Sequence, residues 1–176
     1  MRIISGRFKG KPLKELKYDH IRPTADKVKQ ALFTKLQFEI EGARVLDLFC
    51  GTGGLGIEAI SRGAKEVVFV DKNPKSVALT RENLKSIGDN SRVYNIPFDK
   101  ALEKVEGQFD LIILDPPYQS GLYEKALDLI AERDLLASEG TIVCEHYKDD
   151  IFDYSLFEVY DEKTYGTVVL TYLKNK

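Results

Sequence analysis

Apolar positions along the chain fall into short runs separated by helically spaced stretches, and from residue 44 onward the two alternate. Arg44 to Phe49 is a short apolar run of strand type, followed by glycine-rich sequence and then by helical spacing over Leu55 to Arg62. Glu66 to Val70 predicts a second strand. Pro74 to Ile87 repeats apolar residues at Val77, Leu79, Leu84 and Ile87, with Pro74 suited to a first helical turn. A third strand is expected at Arg92 to Ile96, a short helix at Lys100 to Val105, and the most apolar strand of the chain at Phe109 to Leu114. Gly121 to Leu136 reads as a long amphipathic helix whose apolar face includes Leu122, Ala126, Leu129, Ile130 and Leu136. Thr141 to Cys144 follows as a strand, and Phe157 to Tyr160 and Val168 to Leu173 flank Tyr165-Gly166 as an antiparallel pair.

Strands joined by helices of this length must pair in parallel, because tight turns cannot connect parallel neighbours. The expectation is a doubly wound α/β fold with a seven-stranded sheet and a carboxyl-terminal antiparallel hairpin at its edge. Ahead of it, residues 1–14 read as a small basic hairpin and Thr24 to Phe38 as a helix with Asp26 in its first turn. The chain is therefore divided into a basic extension over 1–40 and a sheet domain over 41–176.

At 176 residues, one compact unit with a sizeable core is the default. Runs such as Leu111 to Leu114 fall far short of the ~20 apolar residues that span a bilayer. Met1 is followed by charged and glycine-containing sequence instead of an apolar signal core, so a cytoplasmic protein without membrane partners is expected. Cys50 and Cys144 make no metal-ligand pattern and read as a reduced, buried pair. The net charge of -2 conceals a polarity, since residues 1–35 carry +7 and the remainder -9. A basic arm on an acidic body grips a polyanion locally and repels it elsewhere. Arg7, Lys9 and Lys11 are the arm's candidate phosphate contacts. Arg22 and Lys27 are two more, unless Arg22 and Thr24 only begin the following helix, with Thr24 as its cap.

Two constellations carry chemistry. The first is Asp47-Leu-Phe-Cys-Gly51-Thr-Gly53-Gly54-Leu-Gly56, at a strand-to-helix junction. Glycines there let the backbone approach a ligand and turn into a helix whose free amides favour an anionic group. With Asp71 ending the second strand, the arrangement suits a dinucleotide or another adenosine cofactor held by its ribose hydroxyls. Asp47 favours the latter. An acid just before the glycines crowds a pyrophosphate but suits the ammonium and sulfonium of S-adenosylmethionine.

The second is Asp115-Pro116-Pro117-Tyr118, directly after the fourth strand. Open α/β sheets bind ligands at the carboxyl ends of their strands, so both constellations should face one crevice. An exocyclic amine on a nucleobase is a poor nucleophile because its lone pair is delocalised into the ring. The Asp115 carboxylate can accept one amino hydrogen and the Pro116 carbonyl the other, while Pro117 lacks an amide hydrogen and stiffens the turn. That leaves the nitrogen lone pair aimed at a methyl donor, and in-line placement supplies rate without a metal or a strong base. Tyr118 offers a face on which an unstacked base lies, a contact worth about 1–3 kcal/mol. His20 and His146 have no spaced metal partners, and no metal is expected.

The sequence resembles the RsmD-type 16S ribosomal RNA guanine-N2 methyltransferases, a branch of the Rossmann-like S-adenosylmethionine-dependent methyltransferases. The resemblance covers nearly the whole chain. It rests on Arg2-Ile-Ile-Ser-Gly6, on Arg22-Pro23-Thr24 through Phe33, on Ala43 to Phe49, on Leu55-Gly56-Ile-Glu58-Ala59, on Asp115 to Tyr118 with Gly121-Leu122, and on Tyr165-Gly166. It implies methylation of the N2 amine of a guanine in 16S rRNA, with the small ribosomal subunit as a further partner. It also implies that Asp115 to Tyr118 bind the amine and Asp71 the ribose, while the charge of residues 1–40 makes them the expected RNA-docking extension. One departure stands at Pro97, where the family commonly has Asp or Asn facing adenine; Asp99 lies two residues on, and Phe98 is left to cover the ring. DNA adenine and protein-glutamine amino methyltransferases share the Asp-Pro-Pro-Tyr logic. A nicotinamide-dependent oxidoreductase or a non-catalytic RNA-binding module accounts for less of the sequence.

Overall fold

The computed structural model describes residues 1–17, 23–118 and 120–176, the side chains of Pro23 and Thr24 excepted. Its elements in chain order are α1 (Pro23–Lys35), β1 (Arg44–Asp47), α2 (Gly54–Ser61), β2 (Glu66–Val70), α3 (Pro74–Ser86), β3 (Val93–Tyr94), α4 (Phe98–Lys104), β4 (Phe109–Leu114), α5 (Leu122–Glu132), β5 (Leu136–Tyr147), β6 (Glu158–Tyr165) and β7 (Val168–Lys174). The strands form one seven-stranded sheet in the order β3-β2-β1-β4-β5-β7-β6. β1 pairs in parallel with β2 and β4, β4 with β5, and β2 with β3, while β7 runs antiparallel to both β5 and β6. This is the doubly wound α/β sheet with a closing hairpin that the periodicity predicts. No helix among the described residues is long and apolar enough to cross a membrane.

Strands β1, β2, β4, β5 and β7 carry buried residues on both faces, which is why they read as apolar runs and not as alternation. One face packs Val45, Leu111, Ile113 and Val143 under α1, α2 and the amino-terminal arm, through Leu32, Phe33, Ile57 and Ile3. The other packs Leu46, Ile112, Leu114 and Ile142 under α4 and α5, through Leu102, Ala126 and Ile130. Residues from 1–40 and from 41–176 thus share the first of these cores.

Several boundaries differ from the sequence reading: α1 ends at Lys35 and not at Phe38, β3 covers only Val93–Tyr94 of the expected Arg92 to Ile96, and α4 starts at Phe98 instead of Lys100. Helix α5 stops at Glu132, because Arg133 turns its guanidinium onto the Leu102 carbonyl at 2.6 Å and Asp134 takes φ 50°. Leu136 consequently begins β5 and does not end α5. Strand β5 runs to twelve residues where four are predicted, since its pairing with β4 shifts register between Phe109 and Leu111 and carries Ala137 to Gly140 in a bulge. β6 continues through Asp161, Glu162 and Lys163, charged positions that hide a strand from an apolar pattern and suit an exposed sheet edge.

The first fourteen residues make a single antiparallel bridge, Arg2 to Pro12, closed by turns. The arm is fixed to the body by polar contacts. The fully buried Glu58 accepts from the Ile4 and Ser5 amides, both at 2.9 Å, and pairs with Arg62 at 3.0 Å and with the buried Lys29 at 3.5 Å. Lys29 also donates to the Arg2 carbonyl at 2.9 Å. Ser61 Oγ donates to the Ser5 carbonyl at 2.6 Å and accepts from the Phe8 amide at 2.9 Å. Gly6 passes so close that a Cβ there would lie 1.9 Å from the Ser61 carbonyl oxygen.

Candidate active site

The carboxyl ends of β1, β4 and β5 open into one cleft of about 230 Å³, walled by Asp47, Phe49, Gly51, Leu55, Asp115 and Glu145, with Met1, Asp26 and Lys29 closing the side next to the arm. This is where a parallel sheet leaves space for a ligand.

Asp47 ends β1 and is almost fully buried; its Oδ2 accepts from the Gly56 amide in the first turn of α2 at 2.9 Å. Gly56 is required by that approach, since a Cβ would sit 2.3 Å from Phe69 Cε1 and 3.0 Å from Asp47 Oδ2. Burial pushes the Asp47 carboxyl up to about 7, against the Gly56 hydrogen bond and with help from the Asp71 charge. Gly53 caps α2 at φ 87°.

Asp71 follows β2 and holds the loop from its other side. Its Oδ2 accepts from the Gly51 amide and its Oδ1 from the Asn73 amide, each at 2.8 Å. Asn73 caps α3, and Thr80 from that helix donates to the Gly51 carbonyl at 2.9 Å. Asn83 of α3 reaches both the Thr52 and Lys14 carbonyls at 3.0 Å, joining the glycine loop to the arm. These helical polar contacts are ones that sequence reasoning missed, because Thr80 and Asn83 occupy unremarkable spacings.

Asp115 leaves β4 at the mouth of the cleft, open to solvent on one side and enclosed by protein on the others. That enclosure, followed by the charges of Glu145 and Asp47, raises its carboxyl well above the ordinary range. Pro116 is buried and Pro117 exposed. Tyr118 is 54% exposed, and its ring meets Tyr147 edge-on at 4.6 Å and 75°. Glu145, absent from the sequence reading, has its carboxyl pushed by burial up to about 7. Its signal was present in the strand order: it is one residue past Cys144, which pairs with Leu114, one residue before Asp115.

The cleft therefore brings Asp47, Gly51 and Asp115 together, with Gly53, Gly56 and Asp71 shaping it from behind. Phe98 is nearly buried, and its ring packs at 5.3 Å on Phe49, the aromatic residue that lines the cleft itself. Pro97 begins α4 without a side-chain cap, and Asp99 is engaged with Lys125 at 2.9 Å. Of the arm's cations, Arg7, Lys9 and Lys27 are exposed, Arg7 lying over the Phe8 ring at 4.6 Å, whereas the Lys11 ammonium donates to the Ser86 carbonyl. Arg22, His20 and the Thr24 side chain lie outside the described residues. Cys50 and Cys144 are both buried and free. Among the described residues no cluster of His, Cys, Asp and Glu is arranged to hold a metal.

The lining suits a positively charged ligand. Asp26, Asp47, Asp115 and Glu145 gather around the space, and among the described residues its cations are already paired, Lys29 with Glu58 and the Met1 ammonium with Glu15.

Comparison with known proteins finds relatives of the whole chain. Residues 1–174 match the family described as "Conserved hypothetical protein 95". The "Putative rRNA methyltransferase YlbH" of Bacillus subtilis is 40% identical, over 97% of this chain and 91% of its own length. The "Ribosomal RNA small subunit methyltransferase D" of Haemophilus influenzae is 34% identical, over 96% and 90%. Among solved structures, the "Putative methyltransferase yhhF" from Escherichia coli superposes with a TM-score of 0.88 at 29% identity, covering 100% of this chain and 98% of that one.

Proposed function

The chain belongs to the Conserved hypothetical protein 95 family, and on that footing we propose that it transfers a methyl group from S-adenosylmethionine to the N2 amine of a guanine in 16S ribosomal RNA. The observation that carries the reading is the single cleft shared by the glycine loop and Asp115. Its acidic lining fits a ligand bearing an ammonium and a sulfonium. Bound there, S-adenosylmethionine supplies an electrophilic methyl carbon.

The chain's own residues do the rest. Asp47, with its remaining lone pairs, holds the ammonium; the backbone of Gly51 and Gly53 admits the amino-acid portion; Asp71 takes the ribose hydroxyls; and Phe98, behind Phe49, covers the adenine. The Pro97 side chain offers no hydrogen bond to that adenine, and Asp99 is held by Lys125, so apolar contact with Phe49 and Phe98 is the means of holding the base. Asp115 accepts one hydrogen of the guanine amine and the Pro116 carbonyl the other, which fixes the lone pair along the line of attack. As nitrogen gains the methyl group it becomes cationic, and the Asp115 carboxylate stabilises that charge and is positioned to receive the proton. Tyr118, its ring fixed by Tyr147, supports the base removed from its stack. Arg7, Lys9 and Lys27, with Arg22, Thr24 and Lys11, are the proposed docking surface for the RNA backbone, on naked rRNA or on the small ribosomal subunit.

Mass spectrometry of nucleosides from 16S rRNA, comparing cells that lack the protein with their parent, tests the proposal. A loss of N2-methylguanosine that the purified protein restores with S-adenosylmethionine is the expected result. Unchanged N2-methylguanosine, or restoration of a different methylated nucleoside, overturns it.

A further inference from the structure

The register between β4 and β5 sets two carboxylates side by side at the cleft. Leu114 pairs with Cys144 and Ile113 with Val143, so Asp115 and Glu145 continue neighbouring strands on the face that also carries Asp47. Both line the same cleft, and the charge of Glu145 is felt at Asp115. Neither carboxylate has a donor among the described residues. The backbone of Glu145 is fixed independently: its carbonyl accepts from the Tyr123 hydroxyl, and the residue pairs with Leu170 of β7. The strand end is rigid while the carboxylate is left facing the cleft.

Two adjacent acceptors without donors repel one another unless a ligand brings donors to both. The methyl-accepting amine engages Asp115 and the Pro116 carbonyl, which leaves Glu145 for whatever lies next to that amine. In guanine the neighbour of the N2 amine is N1–H, a donor. In adenine the neighbour of the N6 amine is N1, and in cytosine that of the N4 amine is N3; both are bare acceptors that a carboxylate repels.

We infer that Glu145 is the specificity-determining residue for guanine, accepting the N1–H hydrogen bond while Asp115 accepts from the N2 amine. The inference rests on the guanine-N2 reading above and names the residue that would enforce it. A site built to receive a donor rejects an analogue that lacks it, because a buried acceptor is left unpaired.

The test uses RNA carrying either guanosine or 2-aminopurine riboside at the methylated position. 2-Aminopurine keeps the N2 amine and loses N1–H together with the C6 carbonyl, so it is the Glu145→Gln comparison that assigns a preference to N1. The wild-type protein is expected to favour guanine in kcat/KM by about 10-fold or more. Glu145→Gln, whose amide can turn an N–H toward bare N1, should narrow that preference to within about 3-fold, any loss of S-adenosylmethionine affinity being common to both bases. Glu145→Asp, which keeps the charge but withdraws it by one methylene, should lower activity on guanine more than on 2-aminopurine. Equal wild-type activity on both bases overturns the inference, and so does a Glu145→Gln variant that loses the same factor on each. Weakened donor binding with the base preference intact assigns Glu145 to the donor and also sinks it. Because the wild-type comparison needs no variant, misfolding of Glu145 substitutions leaves the inference testable. Production of N2-methylguanosine by the wild-type protein is a separate readout, so loss of base preference and failure of the guanine-N2 reading are told apart.

Discussion

Asp71 and Gly51 are joined across the cleft's rear wall by a 2.8 Å hydrogen bond from the Gly51 amide to the Asp71 carboxylate. The second carboxylate oxygen is taken by the Asn73 amide at 2.8 Å, so one side chain binds the end of β2, the glycine loop and the start of α3 together. Asp71 also has lone pairs left for ribose hydroxyls. Asp71→Ala removes both functions, and we expect donor affinity to fall about 10- to 100-fold together with a lowered melting temperature. Calorimetric titration and thermal melting read the two effects separately.

Asp115→Ala should separate chemistry from donor binding. Asp115 is engaged by no other side chain in the glycine loop, whereas Asp47 and Asp71 hold that loop in place. Methyl transfer should fall by about 100-fold or more in kcat, a typical consequence of losing one positioned electrostatic partner, with the Kd for S-adenosylmethionine within a few fold. Single-turnover rates and equilibrium titration on the same preparation check this. Parallel loss of both quantities would assign Asp115 to the donor.

Donor binding should strengthen as pH rises toward 8. The Asp47 carboxyl is pushed up to about 7 in the folded chain, from an ordinary range near 4. The folded protein therefore holds a proton there between about pH 4 and pH 7 that the unfolded chain releases, so ligand-free stability declines as pH climbs through that window. A cationic donor prefers the ionised form, and affinity should rise about 10-fold from pH 6 to pH 8 with proton release on binding. Asp115 and Glu145 face the same space with Asp71 behind it, and Glu145 is also lifted to about 7. Asp47→Asn should bind more weakly and retain only the shallower rise that the other acids contribute. Calorimetry in buffers of different ionisation enthalpy measures the protons directly.

Glu58→Ala should be among the most damaging substitutions outside the cleft. It removes the acceptor of two arm amides and leaves Lys29 and Arg62 without their carboxylate. Burial already lowers the Lys29 ammonium from its usual range against the pull of Glu58. Breaking a buried pair of this kind costs about 3–5 kcal/mol, readable as a shift in urea midpoint. Glu58→Gln, keeping the shape and one acceptor, should cost less.

Reversing Arg7 and Lys9 to Glu should weaken RNA binding and reduce the slope of log K against log salt by about 0.7 for each phosphate no longer neutralised. Both are exposed and free of ion pairs among the described residues. Reversing Lys11 should also lower the melting temperature, because its ammonium already serves the Ser86 carbonyl. A salt slope identical to wild type in the double variant would remove the arm from the docking surface.

The parallel sheet was legible because strands buried on both faces, such as Phe109 to Leu114, leave an unbroken apolar run, and because the intervening helices keep their spacing. The ends of α5 and β5 were not. Arg133 and Asp134 stop the helix through contacts with Leu102 and Gln108, which lie far back along the chain. The glycine loop and Asp115 were visible as local strings. Glu145, Phe49 and Lys29 were not, since each gains its meaning from a neighbour brought alongside by strand pairing or by the arm. Lys11 shows the converse: counted as one more cation in a basic run, its ammonium is engaged by a carbonyl that only the folded chain brings to it.

The cleft draws its wall from Met1 and Lys29 at one extreme of the polypeptide and from Glu145 near the other. A nascent chain emerging in order would have its opening segment waiting, unanchored, until Glu58 and Ser61 were made, and its pocket incomplete until the fifth strand was laid down. Competence to hold a methyl donor thus requires the chain from Met1 through Glu145 to have folded together. Fragments divided between α1 and β4 would each carry fewer than all of the walls, so capture of the donor would itself report that β5 had been made and packed beside β4.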